Sequence, residues 1–213
     1  MQALFSPDSK FMQAMSRIAD LLLLNLFFLL TCVPIVTIGA ASTAMYTVCF
    51  RFGSEREAGV VRSYFRAFRE NFRQATVLWL VILLCGATAG FNACLFYSMS
   101  GVLHYAFVLF AILFVLVLLV GAYAFPLLSQ FDNDNRSTLK NALIFSLGYL
   151  PRSILIAALN VFPFALMVLD FYTFLQTAFL WAALYFSAAA YMNSLLLKKV
   201  FAPYLGEKEE ESE

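Results

Sequence analysis

Long apolar runs dominate this chain, and nothing constrains its fold more. Five can be counted, at residues 21–50, 75–97, 102–128, 154–169 and 171–197. A helix needs about 20 residues to cross the hydrocarbon of a bilayer. The second, third and fifth runs meet that length easily. The fourth is short, and gains length if the preceding LKNALIFSLGYLP enters the membrane or lies along it. Apolar residues make up 62% of the chain and charged residues 13%, against roughly 45–50% and 25% in a soluble domain. So little polar surface could not cover a fold in water. A β-barrel would alternate in segments of about ten residues, and no such pattern occurs. The expected fold is all-α, a polytopic membrane helix bundle with about five hydrophobic segments, the first broken at Pro34.

Charge placement gives the expected orientation. The connector SMSG at residues 98–101 is uncharged, and the turn around Asp170 is nearly so. Arg51, Arg56, Arg62, Arg66, Arg69 and Arg73 precede the second run. Arg136, Lys140 and Arg152 precede the fourth, and Lys198, Lys199 and Lys208 follow the fifth. By the positive-inside rule that face is cytoplasmic. Lys10 and Arg17 join it only if the first run bends at Pro34 and returns; a single broken crossing, the first reading, leaves them outside. The expected organisation is an N-terminal interfacial segment (1–20), the broken segment (21–50), a cytoplasmic loop with an amphipathic helix (51–74) and a membrane helix pair (75–128). A cytoplasmic connector with an interfacial helix (129–152), a second membrane pair (153–197) and a cytoplasmic tail (198–213) follow. The acidic end GEKEEESE is expected to be disordered.

The broken run reads NLFFLLTCVPIVTIGAASTAMY. Pro34 lacks an N–H and clashes with the preceding turn, so the helix bends or stops there. Gly39 permits unusual backbone angles, and hydroxyls such as Thr37 and Thr43 can cap ends that find no water in lipid. Broken helices form substrate sites in many transporters. Equally, Ala40 with Ala44, and Gly39 with Thr43, stand four residues apart and let a neighbouring helix approach closely. Packing and assembly is the preferred reading.

Residues 62–75, RSYFRAFRENFRQA, carry a second pattern. At 100° per residue, Tyr64, Phe65, Phe68, Phe72 and Ala75 share one face, and Arg62, Arg66, Arg69 and Arg73 the opposite one. This predicts an amphipathic helix on the cytoplasmic surface with its aromatics inward. The arginines suit anionic lipid headgroups or an acidic groove on a protein partner.

No Asp, Glu, Lys, Arg or His falls near the centre of any run, which argues against a proton-coupled pump. No phosphate-binding G-x-x-x-x-G-K-[ST], H-E-x-x-H or G-x-S-x-G motif occurs, so neither an ATPase nor an enzyme is expected, and no catalytic residue is assigned. Cys32, Cys49, Cys85 and Cys94 lack metal or redox spacing, so no metal and no cofactor is expected. Asn25, Asn92, Asn160 and Asn193 place one amide in each of four runs, and interhelical hydrogen bonds are their simplest role.

Asn25, Pro34, Thr37, Gly39, Ala44, Met45 and Tyr46, followed by Phe65, Phe68, Arg69, Asn71 and Phe72 and by GYLPRSIL at 148–155, resemble the YesL-like family of small bacterial membrane proteins. The resemblance implies a five-span protein of the bacterial cytoplasmic membrane, with no established activity. Members are encoded beside carbohydrate ABC importers, which implies an accessory subunit that binds the permease subunits, and possibly the ATPase, and aids assembly, stability or coupling. Arg62, Phe65, Arg66, Phe68, Arg69, Phe72 and Arg73 become the candidate partner-binding residues, with the small-residue patch around Gly39 making a second contact in the bilayer. The lipid bilayer is a further partner, a homo-oligomer is possible, and no nucleic acid is expected. The alternative is a stand-alone carrier or channel for a small neutral solute.

Overall fold

The computed structural model describes residues 10–52 and 59–210, and the described residues contain helices and no strand. Arg56, and the last three residues of the tail, lie outside them. In chain order the helices are α1 (Lys10–Cys32), α2 (Ile38–Arg51), α3 (Val60–Tyr97), α4 (Ala106–Gln130), α5 (Asn135–Gly148), α6 (Leu150–Leu169) and α7 (Phe171–Gln176). A short turn and a π-helical stretch (Trp181–Tyr185) lead into the last helix (Phe186–Glu210). Five of these stretches are long and apolar enough to cross a membrane: Phe11–Cys32, Val60–Tyr97, Gly101–Gln130, Leu150–Leu169 and Ala178–Tyr204. The chain is a multi-pass helical membrane bundle.

The break falls at Pro34, where α1 stops and a single 3-10 turn (Ile35–Thr37) leads into α2. The Thr37 hydroxyl donates to the carbonyls of Thr31 and Pro34, and Thr31 donates back to Phe27 O at 2.8 Å. These bonds satisfy carbonyls that the interrupted helix leaves open. The two arms then close on each other. The Arg17 guanidinium sits 4.3 Å from the centre of the Phe52 ring, and Phe52 O accepts from Lys198 at 3.4 Å. The start of α1 and the end of α2 therefore meet beside the end of the last helix. Thr31 bonds the Tyr64 hydroxyl at 2.6 Å, while Trp79 Nε1 donates to Ile35 O at 2.8 Å. The hairpin thus lies along the arginine-bearing half of α3. The other half of α3 belongs to α4, with Gly90 against Phe114 and Phe96 stacked on Phe110. This corrects the first reading of a single broken crossing: the segment returns, and Arg17 shares the face that carries Arg51 and Lys198.

Other boundaries move as well. Residues 10–20 are part of α1 rather than a separate interfacial segment. The backbone of the last helix runs on to Glu210, through most of the tail expected to be disordered; Glu and Lys are good helix formers and extend it. Residues 62–74 do not form a helix of their own. They are the first turns of α3, whose 38 residues are unbroken and measure about 57 Å at 1.5 Å per residue. The loops opposite the basic face are tight. Gly101 takes the left-handed φ of 79° in one, and Asp170 caps α7 in the other by accepting from Thr173 N at 3.1 Å.

α2 is the centre of the core. Ala40, Ala41, Thr43, Ala44 and Cys49 are wholly buried, and α3, α4 and the last helix pack around it. A helix apolar on every side belongs in a protein interior. Gly39 shows how tightly it fits: a Cβ there would lie 2.4 Å from Ala75 O and 2.6 Å from Trp79 Cβ.

Candidate functional site

Three features have the chemistry to do more than hold the bundle together. The first is the arginine-bearing half of α3. Arg62, Arg66, Arg69 and Arg73 are all exposed. Arg66 Nε donates to Glu70 at 2.9 Å across one helical turn. Both partners are well exposed, so water screens the pair and it adds little stability. Arg62, Arg69 and Arg73 form no ion pair among the described residues. The aromatic face differs from the expected one. The buried stripe runs through Val60, Ser63, Tyr64, Ala67, Ala75 and Leu78, because small residues let α2 come close. Phe68 is half-buried, and Phe65 and Phe72 are pushed outward, 45% and 42% exposed. The exposed surface therefore carries arginines flanked by two phenylalanine rings.

The second feature is the helix break. Pro34 lies exposed at the hairpin tip, and Thr37 is half-buried as the cap. Gly39, Ala40, Thr43 and Ala44 are buried within the chain itself. This corrects the expectation that the small-residue patch meets a partner in the bilayer: α3 already occupies the close approach that those residues permit.

The third feature is a set of buried amides around a cavity. Asn25, fully buried, donates to the carbonyls of Trp181 at 3.2 Å and Ala182 at 2.6 Å, and accepts from Ser187 N at 3.0 Å. A π-helical turn leaves backbone groups without their usual partners, and this one side chain serves three of them. Ser187 adds a bond from its hydroxyl to Leu21 O at 2.8 Å. Asn193 donates to the Tyr46 hydroxyl at 3.2 Å and to Asn160 Oδ1 at 3.1 Å. Asn92 bonds only within its own helix, to Thr88 O. Three of the four amides thus join helices, as the sequence suggested. Beside Tyr46 and Asn160 lies a cavity of about 520 Å³ between α2, α3, α4, α6 and the last helix. Its walls are mainly aliphatic and aromatic, and none of them carries a charge at neutral pH. Sequence reading found the amides but not the cavity, which depends on contacts between residues more than a hundred positions apart.

Residues 21–93 match the family described as "Protein of unknown function, DUF624". That stretch covers most of the hairpin and nearly all of α3. The chain is also 29% identical over 162 residues to the "Uncharacterized protein YteU" of Bacillus subtilis (strain 168), covering 74% of this chain and 72% of that one. No solved structure matches it. The family match spans Asn25 to Phe72, which carry most of the resemblance, and the two matches together support a likeness to the YesL-like membrane proteins.

Proposed function

We propose that the chain is an integral-membrane accessory subunit that docks a partner through the arginine-bearing half of α3, and that this partner is a carbohydrate ABC importer. One observation supports the docking surface above all. Arg62, Arg69 and Arg73 stand exposed on a helix continuous with a membrane span, flanked by exposed Phe65 and Phe72. Arginine beside an aromatic ring is the composition that carries binding energy at protein interfaces. Headgroups alone would leave the phenylalanine rings with little to do. The identity of the partner rests on the family resemblance, since importer permeases and their ATPases present loops on the cytoplasmic side. The role is to aid assembly, stability or coupling, without chemistry of its own.

Extraction of the chain from its native membrane in mild detergent, followed by mass spectrometry, tests this reading. A stoichiometric permease and ATPase are expected to co-purify. Replacing Arg66 and Arg69 by Glu should cut their recovery several-fold while the chain stays folded. Unchanged recovery would overturn the assignment of the surface. The cavity favours a second reading, independent carriage of a small neutral solute, which predicts flux into liposomes that hold this chain alone.

A further inference from the structure

The cavity has a wall chemistry that selects its occupant. We propose that it binds a neutral, single-chain amphiphile with a hydroxyl head, taken up sideways from the bilayer. Its volume of about 520 Å³ falls within the range of small-molecule sites, about 300–1,000 Å³. The walls come from Trp79, Ile82, Leu118, Phe125 and Phe186, among others. A hydroxyl-rich sugar would leave most of its polar groups unpaired against such walls, and each would cost roughly 1–3 kcal/mol. An acyl chain meets them without penalty.

Polar groups concentrate at one place on the wall. Tyr46 and Asn160 line the cavity, and both are bonded by Asn193. Asn193 is itself fully buried, and its Oδ1 has no hydrogen-bond partner among the described residues. Asn193 is not itself on the wall; through Nδ2 it fixes the Tyr46 hydroxyl and the Asn160 amide in place, and these two wall groups can bond a single ligand hydroxyl. The residues at the rim show the route in. Ile35, at the hairpin tip, is 64% exposed, and Phe164, on α6, is 60% exposed. Both also line the cavity, so it opens between the hairpin and α6 toward whatever surrounds the apolar surface, which in a membrane is acyl chain. The absence of charge on the walls excludes fatty acids and phospholipid headgroups from the inner end. This site needs neither the docking reading nor the carrier reading to hold.

The test uses the full chain in phosphatidylcholine nanodiscs and an alkyne-tagged monoacylglycerol with a diazirine in its acyl chain. After photolysis, adducts are mapped by mass spectrometry, with monoolein and methyl oleate as unlabelled competitors. Adducts are expected on residues 38–46 and 157–164. Monoolein should compete at least tenfold better than methyl oleate, which has the same chain and no hydroxyl donor. Ala189→Phe, which fills the cavity from the last helix, should reduce these adducts several-fold at an unchanged melting temperature. Equal competition by the two esters would overturn recognition through the hydroxyl. So would adducts spread along the outer faces of α3 and α4 that neither competitor removes. Both of these readouts come from the unsubstituted protein, so the test stands even where the filled variant fails to fold.

Discussion

Gly39 and Asn25 each do something no other side chain could do at the same place. At Gly39 the backbone of α3 comes so near that an added methyl would overlap Ala75 O. Gly39→Ala should therefore force the hairpin away from α3 and cost about 1–3 kcal/mol, the usual penalty for overpacking. Gly148→Ala, where nothing lies within 4 Å of an added Cβ, should be near neutral. Thermal unfolding of the two purified variants in detergent measures the difference. Asn25→Leu removes three interhelical bonds. At about 0.6 kcal/mol each in a membrane, the loss comes to about 2 kcal/mol. Asn25→Asp should be worse than Asn25→Leu at neutral pH, because a carboxylate can accept from Ser187 N but cannot donate to the Trp181 and Ala182 carbonyls. A melting series from pH 5 to 8 would show the Asp variant recovering toward acid, where its carboxyl regains a proton to donate.

At the scale of the element, α3 carries the largest departure from expectation. The arginine pattern indicated a helix lying on the membrane surface, and the apolar pattern indicated a separate span. Both patterns are real, yet no proline, glycine pair or capping residue divides them, so a single helix runs through. Spin labels at positions 62 and 97 of a Cys-free variant should therefore read roughly 52 Å apart by pulsed EPR, from 35 residues at 1.5 Å each. A right-angle bend at residue 74 would give roughly 39 Å by the same rise per residue. The aromatic face was misread for a related reason. Helical periodicity shows which residues share a side but not which side is covered. At close crossings in membranes the small residues take the interface, so Ser63 and Ala67 are buried while Phe65 and Phe72 stay exposed. The π-helical stretch left no mark in the sequence. Its register depends on Asn25, which lies 156 residues away from Trp181.

At the scale of the whole molecule, what the sequence shows clearly is the class: apolar runs, tight uncharged loops and a basic face are all visible in it. It could not show that the first run returns, because Arg17 and Phe52 meet only in three dimensions. The returning hairpin makes a prediction about sidedness. In a Cys-free background, Gln13→Cys and Lys199→Cys should react with an impermeant maleimide from the same side of a sealed vesicle. Ser98→Cys should react from the other. Labelling of Gln13→Cys together with Ser98→Cys would restore the single crossing.

The Asn25 clamp also has a consequence for biosynthesis. Asn25 on α1 finds its buried partners at residues 181–187, and Tyr46 finds Asn193. Until residues 181–193 have been made, the hairpin must wait in lipid with these polar groups unpaired. The last helix therefore acts as the closing latch of the nascent protein, and a product truncated before it carries a ready-made mark of incompleteness.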